Sequence, residues 1–300
     1  MKIVLGTRGS ALATAQSGLI ADWIRGRSHD VEVREFKTTG DRVSELNQPI
    51  EGKGIFTKEL DEALLDGRID VAVHSLKDLP SDLAPGLRLT AVPPREDPRD
   101  VLVSRGGLSL RRLPAGARVG TGSPRRAGQL LAVRPDIQCI EARGNVDTRI
   151  RRLREGKWDA IALARAGLVR LGRLSEATET LEFSDMIPAV GQGALAVVTR
   201  DDRTASVFAP LDDADSRAAI LCERRILRDL QGGCRAPIAA HAFREGGELR
   251  VLAAVFSVDG SDFLREERRG SDPEALGRET ADALLAHGAA AIVAAARAAS

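Results

Sequence analysis

Two short stretches hold the residue types in this chain that could do chemistry. The first is Leu230-Gln231-Gly232-Gly233-Cys234-Arg235-Ala236-Pro237, where a helical pattern over residues 215–229 runs into paired glycines, a thiol, a cation and a proline. Glycines after a helix mark its stop, with backbone freedom that other residues lack, so Cys234 is expected on a bare turn rather than in a packed face. Arg235 beside it favours thiolate, the reactive form. Cys234 is then either a small residue filling a turn or a nucleophile, and the rest of the chain has to decide. The second stretch is Ser75-Leu76-Lys77-Asp78-Leu79-Pro80, directly after the buried-strand pattern of residues 69–74. In parallel α/β sheets, ligands meet residues just beyond the carboxyl ends of strands. A cation next to a carboxylate keeps it ionised, which suits stabilising a cationic intermediate and moving protons. In isolation a Lys77–Asp78 dipeptide is more commonly an exposed turn. His74 reads as a satisfied partner inside the sheet rather than a ligand. No His, Cys and carboxylate group has metal-site spacing, so no metal is expected.

The elements that must position these residues repeat one device, a strand running into a capped helix with arginine nearby. Residues 2–7 read as a strand ending in Arg8-Gly9-Ser10, with Ser10 as N-cap of a helix to about residue 25. The free N–H groups of a helix start can hold an anion, and Arg8 adds full charge; equally, Ser10 merely caps and Arg8 is solvated. Residues 118–120 end in Thr121-Gly122-Ser123-Pro124-Arg125-Arg126, where a Ser cap and a Pro at the first helical position announce a helix. Arg125 and Arg126 in that first turn oppose the helix dipole, a placement that a bound anion would explain. A strand over 136–140 leads to Arg143-Gly144-Asn145 and a helix with Arg149, Arg151, Arg152 and Arg154; a strand over 159–163 leads to a helix with Arg165 and Arg170. These turns converge if the sheet is parallel, and guanidinium forks match carboxylates. Arg151, Arg152 and Arg154 read as solvated.

Charge follows the same pattern. Residues 99–173 carry 17 Lys and Arg against 6 Asp and Glu, in a chain whose net charge is +1. A basic middle in an otherwise acidic chain points to an anionic partner. With no Tyr, 2 Trp and 7 Phe, the chain can barely build the stacking platforms of a single-strand binder, so small carboxylates or phosphates remain and nucleic acid is not expected. Composition, at 43% hydrophobic and 29% charged, is that of a soluble globular protein, and no apolar run is long enough to span a bilayer. Three cysteines argue against a disulfide framework and for a reducing compartment; Cys139 and Cys222 read as buried and inert. The N-terminus turns polar at Thr7-Arg8 and lacks a signal-peptide pattern, so a cytoplasmic location is expected.

The α/β rhythm restarts after Pro93-Pro94-Arg95-Glu96-Asp97-Pro98, and a Gly-rich crossing, Pro188-Ala189-Val190-Gly191-Gln192-Gly193, leads to a strand that could return to the first sheet. Two crossings between α/β lobes make a hinge. Residues 38–54 read as a long loop, a lid or a flap. After residue 213 come a helix, alternating strands near 238–243, 249–258 and 263–269, and a final Ala-rich helix over 273–296.

Taken together these stretches resemble the porphobilinogen deaminase (hydroxymethylbilane synthase) family over nearly the whole chain. The motifs are Thr7-Arg8-Gly9-Ser10, Gly52-Lys53-Gly54-Ile55-Phe56, Val73-His74-Ser75-Leu76-Lys77-Asp78-Leu79-Pro80, Gly120-Thr121-Gly122-Ser123-Pro124-Arg125-Arg126, Arg143-Gly144-Asn145-Val146-Asp147-Thr148-Arg149, Ala166-Gly167-Leu168, Pro188-Ala189-Val190-Gly191-Gln192-Gly193 and Gly232-Gly233-Cys234. Each is weak alone; in this order they are specific. The resemblance implies two α/β lobes shaped like periplasmic binding proteins, residues 1–93 with 194–209 and residues 99–188, joined by a hinge. It adds a small C-terminal α+β domain, 214–300, with a three-stranded antiparallel sheet and helices. It implies a transferase of tetrapyrrole, hence porphyrin and heme, biosynthesis. Such an enzyme condenses porphobilinogen head to tail, with loss of ammonia, onto a dipyrromethane cofactor held covalently by a thioether to Cys234. Hydrolysis then releases hydroxymethylbilane. By the same resemblance Asp78 is the catalytic carboxylate and Lys77 its neighbour. Thr121, Ser123, Arg125, Arg126 and Arg149, with Lys77 and Asp78, hold the cofactor. Arg8, Ser10, Arg143, Arg149 and Arg170 bind substrate or growing-chain carboxylates. A monomer with no membrane or nucleic-acid partner is expected. The rival reading is a non-catalytic two-lobe receptor for a small carboxylate anion; it explains the arginines but not Cys234.

Overall fold

The computed structural model describes residues 1–41, 54–200, 203–232 and 236–298. In chain order the elements begin β1 (Lys2–Arg8), α1 (Ala11–Arg25), β2 (Asp30–Phe36), α2 (Lys58–Leu65), β3 (Val71–Ser75), β4 (Leu87–Ala91) and β5 (Asp100–Ser104). They continue β6 (Arg118–Gly120), α3 (Pro124–Val133), β7 (Gln138–Ile140), α4 (Val146–Arg154), β8 (Ala160–Ala164), α5 (Arg165–Arg170), β9 (Glu179–Thr180) and β10 (Leu195–Arg200). The last are α6 (Arg203–Phe208), α7 (Ala214–Asp229), β11 (Ile238–Glu245), β12 (Glu248–Phe256), β13 (Phe263–Gly270), α8 (Pro273–Ala286) and α9 (Ala289–Ala298). They form two compact units, Met1–Glu96 with Gly193–Arg217, and Asp97–Gln192 with Ala218–Ser300.

In the first unit the sheet order is β2-β1-β3-β10-β4, with β1, β2 and β3 parallel and β10 antiparallel to both of its neighbours. The Gly-rich crossing does therefore return the chain to the first sheet. β3 reads Val71-Ala72-Val73-His74 without alternation because both faces of the strand are covered, as in parallel sheets generally. Ile3, Leu5, Val71, Val73 and Val197 pack against Ile20 and Ile24 of α1 in one core. Each such side chain contributes about 1.5–3 kcal/mol on burial.

Inside the second unit the same plan appears again, in the order β7-β6-β8-β5-β9, with β6, β7 and β8 parallel and β5 antiparallel to β8 and β9. This unit also holds the antiparallel sheet β11-β12-β13, in register from Ile238↔Val255 to Leu249↔Gly270. Cys222 and Ile226 of α7 and Leu276 and Leu284 of α8 close one face of that sheet. The turn after β12 meets α3 at very short range. A Cβ on Gly128 would lie 2.6 Å from the Ser257 carbonyl oxygen, and one on Gly260 would lie 2.7 Å from the Gly128 carbonyl oxygen. Neither position has room for a side chain.

Helix starts at Ser10 and Ser123 follow the caps read from sequence, and Asn145 and Asp272 cap their helices in the same way. The side chains of Ser10, Ser123, Asn145 and Asp272 each accept the backbone N–H three residues on. Three features differ from expectation. Residues 273–296 do not form one helix; α8 and α9 are separate, bent by 79° at His287-Gly288. β4 was legible as the alternation Leu87, Leu89, Ala91 but is absent from the reading above. At the end of α7 it is Gln231 (φ 53°), not Gly232, that takes the left-handed conformation. Gly232 is needed for closeness instead, since a Cβ there would sit 2.4 Å from Leu227 Cδ1. Among the described residues no single helix is long and apolar enough to cross a membrane.

Candidate active site

The first unit builds a pocket at the carboxyl ends of two neighbouring parallel strands. β1 and β3 pair through Leu5↔Val71 and Gly6↔Ala72, so Arg8 and the turn Ser75 to Asp78 share one sheet edge. The pocket between them is lined by Arg8, Ser10, Phe56, His74, Ser75 and Asp78. Ser10 Oγ accepts from the Ala13 amide at 3.3 Å, and Gln16 Nε2 donates to Ser75 Oγ at 2.8 Å. Lys77 and Asp78 are both half-buried in the short 3-10 turn after β3. Among the described residues the Asp78 carboxylate has no hydrogen bond or ion pair. An anionic group without an internal partner at a pocket wall is available to a ligand.

Arg8 differs from expectation in being neither open nor merely solvated. Its Nε and Nη2 donate to the Asp41 carboxylate, the latter at 2.5 Å, and its guanidinium lies 4.2 Å from the centre of the Phe56 ring. The Thr38 amide and hydroxyl both donate to Asp41 in turn. Burial works against the Asp41 charge, but Arg8 and Thr38 outweigh it and hold the carboxyl below its usual range. His74, expected to be satisfied inside the sheet, is buried there at 5% exposure, yet its Nε2 has no hydrogen-bond partner among the described residues. Burial, with the Arg8 charge, pushes the ring down to about 4.

The second unit gathers its cations as the parallel strands require. β6, β7 and β8 run side by side, so the Thr121–Ser123 turn, Arg143 and Arg165 come to the same edge of the sheet. Thr121 Oγ1 accepts from the Ser123 amide, and Ser123 Oγ from the Arg126 amide, which shapes the start of α3. Arg125 and Arg126 turn inward. They are 3% and 6% exposed and straddle the fully buried Asp100 at the head of β5. Arg126 Nε and Nη2 donate to Asp100 Oδ1 and its Nη1 to the Ala162 carbonyl; Arg125 Nη1 donates to the Ile187 carbonyl. Burial opposes charge on Asp100, but the two guanidiniums prevail and hold it far below the usual carboxylate range. Arg149 Nε donates to the Gly144 carbonyl, its one hydrogen bond to a described residue; burial and the Arg126 charge lower it to about 10. Arg143 reaches Glu141, and Arg170 ends α5, half-buried.

Two residues were missed by sequence reasoning, Asp41 and Asp100, each the internal counter-ion of predicted ligand arginines. Asp100 had a signal, a charge at the head of the apolar run Val101-Leu102-Val103. Asp41 had none. Cys234, with Gly233 and Arg235, and Lys53 lie outside the described residues. Cys139 and Cys222 are held as thiols, pushed up to about 11 and about 12, chiefly by burial, and Cys222 also by Glu223 and Glu274. No metal-ligand cluster occurs among the described residues.

This is an α/β protein of two like sheets, with arginines and hydroxyl groups at strand ends and an added antiparallel sheet. Residues 3–207 match the family described as "Porphobilinogen deaminase, dipyromethane cofactor binding domain", and residues 218–286 match its C-terminal domain. The porphobilinogen deaminase of Brevibacillus brevis is 46% identical over 95% of this chain and 94% of its own length. That of Desulforudis audaxviator is 47% identical over 99% and 98%. Among solved structures, the lipoprotein Tp32 from Treponema pallidum aligns at 12% identity and a TM-score of 0.43, over 70% of this chain and 88% of that one; the sheet orders above, not that likeness, describe the fold. The chain belongs to the porphobilinogen deaminase family. It is a transferase of tetrapyrrole biosynthesis, a hydroxymethylbilane synthase with a dipyrromethane cofactor-binding domain.

Proposed function

We propose that Asp78 is the catalytic carboxylate of this enzyme, with Lys77 as its supporting cation, and that Cys234 holds the dipyrromethane through a thioether. The observation that carries the reading is the Asp78 carboxylate, lacking any partner among the described residues, on the wall of a pocket it shares with Arg8 and Ser10. When bound, the cofactor would supply the free terminal pyrrole carbon for the first porphobilinogen unit, and each later unit joins the ring added before it. The protonated aminomethyl group departs as ammonia; Asp78, ionised, stabilises the electron-poor carbon left behind, takes up the ring proton after the new bond forms and releases it to solvent. A thiolate at Cys234 is a soft nucleophile suited to trapping the first such carbon.

Porphobilinogen carries acetate and propionate groups, so each condensation adds negative charge to the bound chain. The basic stretch 99–173 supplies counter-charge. The residues of the second unit fit such an acidic group. Arg149 has two terminal nitrogens with no partner among the described residues, and the buried Nε of Arg125 has none either. We assign Thr121, Ser123, Arg125, Arg126 and Arg149, together with Lys77 and Asp78, to the cofactor, and Arg8, Ser10, Arg143, Arg149 and Arg170 to substrate and growing-chain carboxylates. The inward turn of Arg125 and Arg126 makes them the frame of that cradle as well as its charge. A monomeric cytoplasmic enzyme of three domains, 1–93 with 194–209, 99–188 and 214–300, completes the reading.

Intact mass tests the attachment. Wild-type protein should be heavier than its sequence by one dipyrromethane, located on the peptide containing Cys234, and Cys234→Ala should lack it. An unmodified Cys234 in active enzyme would overturn the assignment.

A further inference from the structure

The geometry points to His74 as a positioning residue for the incoming porphobilinogen, its imidazole forming a hydrogen bond to the substrate beside Asp78. The inference rests on the reading of this pocket as the substrate site. His74 lies on β3 opposite Ala196 of β10, at 5% exposure, and lines the same pocket as Arg8, Ser10, Ser75 and Asp78. Buried polar nitrogens are almost always hydrogen-bonded, and leaving one unpaired destabilises the fold. His74 Nε2 has no such bond among the described residues, although Ser75 next to it is bonded to Gln16. A ring that served only to fill the sheet would do so better as an apolar side chain. The unmade bond marks a partner that arrives with the ligand.

The chemistry of the ring suits that role. Burial and the nearby Arg8 charge lower it to about 4, so at neutral pH it is uncharged. A neutral imidazole offers one donor and one acceptor. Porphobilinogen offers both complements, with pyrrole N–H and aminomethyl donors and carboxylate acceptors. A cationic ring, added to Lys77 and Arg8, would compete with Arg8 for the carboxylates and further weaken the negative charge that Asp78 presents to the reacting carbon. A neutral ring orients the substrate without doing either.

Cofactor-loaded wild type, His74→Phe and His74→Gln make the test. Phe keeps a ring but no nitrogen; Gln restores a donor and an acceptor. His74→Phe should load its cofactor, as seen by intact mass, and show a KM for porphobilinogen raised about tenfold, the size of one lost hydrogen bond. kcat should move less, and His74→Gln should recover most of the KM. A packing role predicts the opposite order, because Phe is tolerated in a buried site where Gln costs stability. Wild-type KM in His74→Phe, or a KM that tracks melting temperature across the two variants, overturns the proposal; a water alone at Nε2 gives that first result. Should His74→Phe not fold, imidazole 15N signals decide. The chain has 4 histidines. In the Asp78→Asn holoenzyme the His74 pair should shift on titration with porphobilinogen while the other three stay, and an unmoved His74 at saturation counts against it. Full turnover by Asp78→Asn would instead remove the reading of the pocket, however His74 behaves.

Discussion

Asp78 and Asp100 stand at corresponding kinds of place, next to the ends of buried strands, and have opposite fates. Asp78, in the first unit, lines a pocket and has no partner among the described residues. Asp100, in the second, is 0% exposed and gripped by Arg125 and Arg126. The difference teaches that charge density alone does not mark a binding group. The second unit is the more basic of the two stretches by sequence, yet two of its best-placed arginines spend their charge on the protein itself. Among the described residues, the groups left for a ligand include the terminal nitrogens of Arg149 there and the Asp78 carboxylate in the first unit. A carboxylate paired inside holds local structure, and the one left on a pocket wall is the one we propose to be catalytic.

The sharpest way to break this contrast is to neutralise each carboxylate in turn. Asp78→Asn should keep its fold and its cofactor mass and lose about 10²–10⁴ in kcat, the range of a general acid–base group; near wild-type kcat with the adduct present would end its catalytic role. Asp100→Asn should do the reverse. It leaves two guanidiniums buried without their counter-ion, a loss of about 3–5 kcal/mol read by denaturant or thermal unfolding. The pH dependence has a definite sign. A carboxyl whose folded value is depressed adds stability above its unfolded value near 4, and that contribution is lost as pH falls toward and below 2. Asp100→Asn should therefore flatten the acid limb of the stability curve, and an unchanged limb would remove the pair from the account.

Smaller effects refine the boundary between frame and ligand. Arg149→Leu should reduce cofactor loading or chain extension about 10–100-fold, as expected for a lost charged hydrogen bond, while the melting temperature stays within a few degrees. If stability falls instead and loading does not, Arg149 belongs with Arg125 and Arg126. The smallest effect concerns Asp61 on α2, raised to about 6 by burial and the neighbouring Glu62, against a bond from Thr57. A raised carboxyl makes the folded state lose stability as pH climbs from about 4 to 6. Asp61→Asn should escape that loss, melting slightly higher than wild type above pH 6 and equally below pH 4; equal melting at pH 7 would refute the shift.

Most of the frame was legible because it rests on local signals. Ser10, Ser123 and Asn145 cap the helices that their positions announce, and the uniform run Val71-Ala72-Val73 marks a strand covered on both faces. The candidate site was legible in its cations and in the Lys77-Asp78 turn. What could not be read was who pairs with whom. Arg126 meets Asp100 across 26 positions of chain and Arg8 meets Asp41 across 33, choices made by tertiary packing. The orphaned Nε2 of His74 is likewise a property of its surroundings, not of its neighbours in sequence.

The contact between Gly128 and the turn at Gly260 has a mechanical consequence. Backbone resting on backbone leaves no compliant side chain to act as a spring, so α3 and the β12–β13 hairpin transmit displacement to each other almost without slack. The helix that opens with Arg125 and Arg126 is in this sense bolted to the antiparallel sheet. A tug on either piece is felt by the other, and whatever play a lengthening pyrrole chain demands must come from a softer joint.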